Sequence, residues 1–546
     1  MRNRLAIAFA AALLAVTGAA TVVLRTSDAQ ALENGVARTP PMGWNSWNTF
    51  GCNINETLIR QMTDAIVSSG MRDAGYQYVV VDDCWMNPNR DSAGNLQGDP
   101  GRFPSGMKAL GDYIHARGLK FGIYQAPLDR TCAQYFNSYP GRTGAQGHEA
   151  QDARQFAAWG VDYLKYDWCS PTGSIDDQVR TFAIMRDALR ATGRPIVYSI
   201  NSNSIHDKTG PRRNWGDVSN MWRTTEDITN AWNTGQTNGY PMGIQNIVNV
   251  TVPLAAYARP GSFNDMDMME VGRGGMTDTE MRSHFALWAI MASPLIAGND
   301  LRNMNAATQT ILKNANLIAI SQDPLALQAT QVSFDGTRRV LAKRLSNGDV
   351  AVALFNQGTA TTTVSTTASA IGLTGGSYTL RDAWTNTMTT SSGTISASVP
   401  GHGTVVYRVS GMLNPTTPVT SPPPSSPPPS TPPPSTPPPA SPCQVTYAIT
   451  GQWSGGFQGD VTIRNSGTAA VDGWSLRWSF PNGQQITQAW NAGYTQSGAE
   501  VTATNVAWNG SISPGGTATF GFIANWTGGN AKPVSFTLNG AACANG

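Results

Sequence analysis

Polar side chains recur at one kind of place in this sequence, just where short apolar runs end. VVVDDCWM reaches Asp82 and Asp83, GIYQAP carries Tyr124, VDYLKYDWC carries Lys165 and Asp167, and PIVYSIN ends on Asn201. WRTTEDI holds Arg223 and Asp227, NDMDM holds Asp267, and MGWNSW places Trp47 near its end. Several carboxylates with a lysine, an arginine and aromatic rings, and without metal-ligand spacing, suit glycoside hydrolysis. In that chemistry two carboxyl groups flank the bond and the remaining groups hold neutral hydroxyls. Residue types alone leave open which two carboxylates react, because any one Asp or Glu near a strand end can instead cap a helix or pair on the surface. Their joint placement is what argues for a site.

The elements that would position them follow from periodicity. From about residue 36 to 322, short apolar runs alternate with amphipathic stretches such as NETLIRQMTDAIVSSG. There Leu58, Ile59, Met62, Ala65 and Ile66 share one face, and Asn55 can cap the first turn. The runs MGWNSW, YQYVVVDDCW, LKFGIYQA, VDYLKYDWC, PIVYSIN, SNMWRTTED, SFNDMDMM and ASPLIAGND make eight strands. Repeated strand-then-helix units of that number predict a (β/α)8 TIM barrel over residues 32–322, whose site lies where the strands end. The runs RRVLAKRLSNGDVAVALFN, SYTLRDAW and GTVVYRVS then predict an appended antiparallel β-sandwich over 323–411.

Residues 412–442 are almost wholly proline, serine and threonine and read as a semi-rigid linker, spanning up to roughly 90 Å. Beyond it, 443–543 alternates polar and apolar residues between Gly, Asn and Ser turns, which predicts a small all-β domain, a second sandwich. The N-terminal 1–31 has basic residues, an apolar run and the site Ala29-Gln30-Ala31, which reads as a secretory signal and implies an extracellular protein. Export makes disulfides the default state of Cys52, Cys84, Cys132, Cys169, Cys443 and Cys543. No Cys-x-x-Cys pair occurs, which argues against zinc, and nothing calls for a cofactor. A net charge of +2, with 13% charged residues and no basic run, argues against nucleic acid or a membrane surface as partner and favours sugars. The sequence identifies no protein partner.

The blocks TPPMGWNSWNTFGC, VVVDDCWM, GIYQAP, VDYLKYDWC, WRTTEDI, NDMDM and SHFALWAIMASPLIAGND resemble, in order, those of glycoside hydrolase family 27, the α-galactosidase and α-N-acetylgalactosaminidase family. The resemblance covers residues 33–411 and implies a retaining double displacement. It puts the nucleophile on Asp167 and the acid/base on Asp227, with the adjacent Glu226 structural. Retention needs the two carboxyls about 5–5.5 Å apart. Burial and nearby carboxylates are expected to raise the pKa of Asp227, while Lys165 and Arg223 keep Asp167 ionised. The resemblance further implies Asp82 and Asp83 on the 4- and 6-hydroxyls, Lys165 on the 3- and 4-hydroxyls, and Arg223 and Asp267 near the 2-hydroxyl. Trp47 and Tyr124 would shape the apolar wall. It also implies bridges Cys52–Cys84 and Cys132–Cys169, which leaves Cys443 to Cys543.

One stretch departs from the family. Where α-galactosidases usually have Cys-Glu-Trp after the fifth strand, this chain has Ile200-Asn201-Ser202, so the resemblance implies Asn201 facing the sugar's 2-position where relatives place a charge. Ser202 and Ser204 would also suit an N-acetyl-specific member. The expected activity is exo-hydrolysis of terminal α-D-galactosyl residues from oligosaccharides and galactosylated polysaccharides. The same mechanism on β-L-arabinopyranosides, α-N-acetylgalactosaminides or dextran, and a non-catalytic carbohydrate-binding protein, are the alternatives. The C-terminal block resembles a family 2 carbohydrate-binding module. That implies platform tryptophans at Trp453, Trp490 and Trp508 and anchorage on cellulose, with xylan or chitin as the alternatives. Of Trp474 and Trp478, at least one is expected in the core.

Overall fold

Tyr78–Val81 reads YVVV and every side chain in it is buried, as expected of a parallel strand covered on both faces. It is one of eight such strands: β1 (Met42–Asn45), β2 (Tyr78–Val81), β3 (Lys120–Gln125), β4 (Tyr163–Asp167), β5 (Val197–Asn201), β6 (Met221–Arg223), β7 (Phe263–Asp265) and β8 (Leu295–Ala297). In this computed structural model the described residues are 32, 34–170, 172–202, 212–237, 239–413, 442–453, 455–506, 509–526, 529–533 and 535–545. The predicted signal, most of the linker, Ser204 and Trp508 lie outside them, as does the side chain of Trp453. No helix among the described residues is long and apolar enough to cross a membrane.

The eight strands pair in parallel in the order β7-β6-β5-β4-β3-β2-β1-β8. Closure between β7 and β8 is made by Met269, which bridges Ala297. Its N–H donates to Ile296 at 2.7 Å and its carbonyl accepts from Gly298 at 3.0 Å. Between β7 and that bridge the chain turns at Asp267, with φ +73°. Such a backbone costs roughly 1–3 kcal/mol in a residue with a side chain and clusters at functional sites. The helices between strands behave as their periodicity predicts. In Glu56–Ser68 the apolar stripe is buried, and Asn55 Oδ1 caps the first turn by accepting from Leu58 N at 2.8 Å.

The sandwich strands are β9 (Thr330–Phe334), β10 (Arg338–Arg344), β11 (Val350–Asn356), β12 (Thr362–Thr367), β13 (Leu373–Asp382), β14 (Met388–Ser391), β15 (Thr394–Val399) and β16 (Thr404–Leu413). They form an antiparallel six-stranded sheet, β14-β13-β16-β11-β10-β9, over the pair β12-β15. All of β11 is buried, and its two-residue period explains why. Val350, Val352 and Leu354 fill the sandwich core, whereas Ala351, Ala353 and Phe355 join the barrel core. Against that second face lies the helix Asp278–Ile290, buried without interruption from Ser283 to Ile290. One face of the sandwich sheet is therefore part of the barrel's core, and Phe355→Ala should destabilise both by about 3–5 kcal/mol, seen as a lowered joint melting transition.

Lys343 on β10 is also enclosed there, with its ammonium 3.4 Å from the carbonyl of Ala289. Burial pushes its pKa down to about 7, against the attraction of Asp323. Between that value and the unfolded value of about 10.4 the unfolded state binds more protons, so this residue's contribution to stability rises with pH. Lys343→Met should raise Tm at and below pH 7, and the gain should vanish near pH 10.

A second compact unit follows the linker. One of its sheets joins Gln485–Trp490, Thr517–Asn525, Gly456–Asn465, Cys443–Trp453 and Ala544–Asn545; a second is built around Ser475–Ser479 and Glu500–Thr504. Both Trp474 and Trp478 are buried, among Phe457, Phe480, Phe520, Phe522 and Phe536. The alternating pattern GWSLRWSF thus puts both indoles inside, where the sequence required only one.

Candidate active site

A parallel strand offers alternate side chains to its two faces, and at the barrel's mouth one of those faces is the site. On β4, Leu164 and Tyr166 belong to the apolar core, while Lys165 and Asp167 line a cleft of about 880 Å³. Trp47 follows β1, Asp82 and Asp83 follow β2, Tyr124 is on β3, and Asn201 ends β5. Arg223 ends β6, Asp227 lies four residues on, and Asp267 follows β7. All ten predicted residues line this one cleft.

Hydrogen bonds fix most of them. Asp82 accepts from Lys165 Nζ at 2.8 Å and from Asn45 Nδ2 at 2.7 Å. Asp83 accepts from the backbone N–H groups of Cys84 at 2.7 Å and Ala133 at 2.8 Å. Arg223 meets Asp267 at 2.7 Å and Asp227 at 3.1 Å. Asp267 also accepts from Ile228 N at 3.0 Å, so the segment carrying Asp227 is tied to β7's end. Asp167 is held more loosely: Tyr124 donates to its Oδ2 at 3.4 Å, and its buried Oδ1 has no hydrogen-bond partner among the described residues.

Seven carboxylates share this region with Lys165 and Arg223, and for several of them burial is the largest influence. It pushes Asp167 up to about 7, although Lys165 and Arg223 pull the other way; the charge of Asp227 adds to the rise. The sequence expectation had the two cations prevailing. They act in the expected direction, but the lost hydration outweighs them. Asp83 and Asp265 are each raised to about 6, again by burial first. Burial opposes the charges of Lys165 and Arg223, yet their carboxylate neighbours outweigh it and raise both. Asp227 is not buried as expected: its side chain is 56% exposed, whereas that of Asp267 beside it is 4% exposed.

Cys132–Cys169 and Cys52–Cys84 are bonded, as is Cys443–Cys543 in the second unit. Cys132, Cys169 and Asp167 bring three ligand-type atoms together, but disulfide sulfurs offer no thiolate to a metal. Asn201 is buried, and its register opposite Asp167 puts it at the floor of the cleft. Glu226, read as structural, lines the cleft as well. Sequence reasoning missed Met268, Phe136 and Tyr240 on its walls and Asp265 beneath it. Met268 and Asp265 stood in the block NDMDM and could have been read from it; Phe136 and Tyr240 lie in loops without periodicity.

In the second unit, Trp490 lies on the outward face of its sheet, its ring over Gly521, where any Cβ would come within 2.3 Å of the indole. Glycine is what lets the ring lie flat there.

The family profile described as Alpha galactosidase A matches residues 39–323. That described as Alpha galactosidase C-terminal beta sandwich domain matches 335–409, and Cellulose binding domain matches 443–543. The chain is 48% identical over 343 residues to the alpha-galactosidase A of Cellvibrio japonicus, covering 62% of this chain and 80% of that protein. It is 43% identical over 378 residues to an alpha-galactosidase of Cyamopsis tetragonoloba, covering 69% and 87%. The crystal structure of alpha-galactosidase I from Mortierella vinacea superposes with a TM-score of 0.65 at 35% identity, covering 70% of this chain and 99% of that one. With barrel, sandwich and terminal module each matched in sequence order, the chain belongs to glycoside hydrolase family 27, the α-galactosidase family, and carries a family 2 cellulose-binding module.

Proposed function

We propose that this protein is a secreted, retaining exo-α-galactosidase that releases terminal α-D-galactose from oligosaccharides and from galactosylated polysaccharide. The observation that carries the reading is the convergence of ten residues from or after the strands on one cleft around Oδ1 of Asp167, which has no hydrogen-bond partner among the described residues. Asp167 attacks the anomeric carbon through that oxygen and forms a glycosyl-enzyme, while Asp227 protonates the departing oxygen. Asp227 then takes a proton from water, which attacks the same carbon from the vacated face, breaks its bond to Asp167 to release the carboxylate, and restores the α configuration. Its exposure suits the second role, since water must reach it. Arg223 holds Asp227 and Asp267 together, and Tyr124 and Lys165 stay protonated as hydrogen-bond donors. Asp82 and Asp83 take the 4- and 6-hydroxyls, Lys165 the 3- and 4-hydroxyls, and Arg223 and Asp267 bind near the 2-hydroxyl. Trp47 supplies apolar wall. A sugar lacking those hydroxyls leaves buried carboxylates unpaired, and the site rejects it by up to roughly 10⁴-fold.

The paired acids after β2 favour galactose over L-arabinopyranose, which lacks the hydroxymethyl group. Asn201 favours no charged contact at the 2-position, and this keeps α-N-acetylgalactosaminide as the second reading. Turnover on the nitrophenyl glycosides of α-galactose, β-L-arabinopyranose and α-N-acetylgalactosamine decides between them; faster hydrolysis of either of the last two overturns the galactose assignment. Proton NMR of the first-formed sugar should show α-galactose, and the β anomer would sink the retaining mechanism. The leader at 1–31 and three disulfides support export.

The C-terminal module anchors the enzyme to cellulose and raises its concentration beside galactosylated material. Trp453, Trp490 and Trp508 are its platform. Replacing the three by alanine should release the protein from insoluble cellulose without altering turnover of soluble substrate; full retention on the solid would discredit the platform.

A further inference from the structure

Few large apolar side chains are exposed among the described residues, yet two of them, Phe136 at 67% and Tyr240 at 69%, line the catalytic cleft. They come from the segments after β3 and β6, three strands apart round the barrel. A single exposed aromatic is ordinary, but two on the walls of one sugar-binding cleft are not explained by packing.

Both rings are presented by braced backbone. Phe136 caps the short helix Cys132–Tyr135, whose start is fixed by a reciprocal Thr131–Gln134 capping box and by the Cys132–Cys169 bridge. Tyr135 meets its ring edge-on at 5.1 Å. Tyr240 sits on the loop that begins at the acid: Met242 N donates to the carbonyl of Asp227 at 2.9 Å, and Thr229 N donates to Met242 at 2.9 Å. Asp227 and Tyr240 thus belong to one braced loop and both line the cleft. The cleft, at about 880 Å³, exceeds what one monosaccharide fills. Ser138, two residues past Phe136, also lines an adjoining polar hollow of about 430 Å³ beside Arg130 and Arg142.

We infer that Phe136 and Tyr240 form a leaving-group subsite for neutral sugar rings, which stack their apolar faces on these aromatics while the released chain continues past Ser138. This rests on the α-galactosidase reading above and extends it. The site is built to grip an oligosaccharide aglycone as well as the terminal galactose. Ring stacking of this kind contributes to binding of ground state and transition state alike, so its loss appears mainly in KM.

The test compares the full-length protein with the Phe136→Ala/Tyr240→Ala double variant on methyl α-galactoside, which has no aglycone ring, and on a galactosylated mannotriose. The loss of kcat/KM on the oligosaccharide is expected to exceed that on methyl α-galactoside by about tenfold, most of it in KM. Equal losses on both substrates, or none, would overturn the subsite while leaving the α-galactosidase reading intact. If the wild-type protein turns over neither substrate, both fall together.

Discussion

Asp167→Asn is expected to abolish turnover and, in the same protein, to raise thermal stability at neutral pH. Removing a nucleophile that acts as part of a catalytic unit costs on the order of 10⁴-fold or more in kcat. Asp227→Asn should differ in kind. Acid catalysis contributes roughly 10²–10⁴, so that variant keeps more activity on nitrophenyl substrates than on sugar leaving groups. Equal losses on good and poor leaving groups would remove Asp227 from the acid role.

The stability gain follows from the pKa of Asp167, raised by burial from the ordinary carboxylate value to about 7. Below the unfolded value of about 3.9 both states are protonated and the residue is neutral in its effect. Between there and about 7 the folded state holds a proton that the unfolded state has lost, so stability falls as pH rises. Above 7 the full penalty of a buried carboxylate is present, about 2–4 kcal/mol after screening by water in the cleft. The variant should therefore match the wild type near pH 3.5 and melt several degrees higher at pH 7.5. A constant difference across that range would contradict the buried charge as its cause.

Arg223→Met should have the largest effect on the fold at this site. Asp267 is nearly inaccessible and faces Arg223 at 2.7 Å, so removing the guanidinium leaves a buried carboxylate uncompensated. Breaking such a pair from one side costs about 3–5 kcal/mol. Adding Asp267→Asn to Arg223→Met removes the stranded charge and should recover much of the lost Tm. No recovery would mean that Arg223 stabilises the barrel through packing alone. Turnover should stay low in both variants, because the guanidinium also holds Asp227 at 3.1 Å.

Much of this site was legible in one dimension. The strand cores are β-branched or aromatic, and their ends carry Asp82, Asp167, Asn201 and Arg223, so barrel logic gathers these residues at one mouth before any coordinates exist. Lys165 and Asp167 could be placed on one face by their two-residue spacing. The cap at Asn55 and the apolar stripe behind it were equally local. What escaped was set by segments far apart in the chain. Phe136 and Tyr240 lie in aperiodic loops, and only the folded barrel places them on the wall of the cleft. The positive φ at Asp267 lies between β7 and the bridge from Met269 to Ala297 that closes the ring, a long-range pairing with no local signal in the sequence.

One dimension was enough for the chemistry available here: which acids and cations exist, that they fall at or just past strand ends, and that a cellulose-binding module follows a proline-rich stretch. Those properties depend on residue type and short-range spacing. How much water each of those groups keeps depended on the packing around it in three dimensions. Asp167 ends β4 and burial raises it to about 7, whereas Asp227, four residues past β6, has a side chain 56% exposed. Hydration is lost to whatever packs around a group in three dimensions, and for Asp167 the wall is contributed by side chains from several different strands.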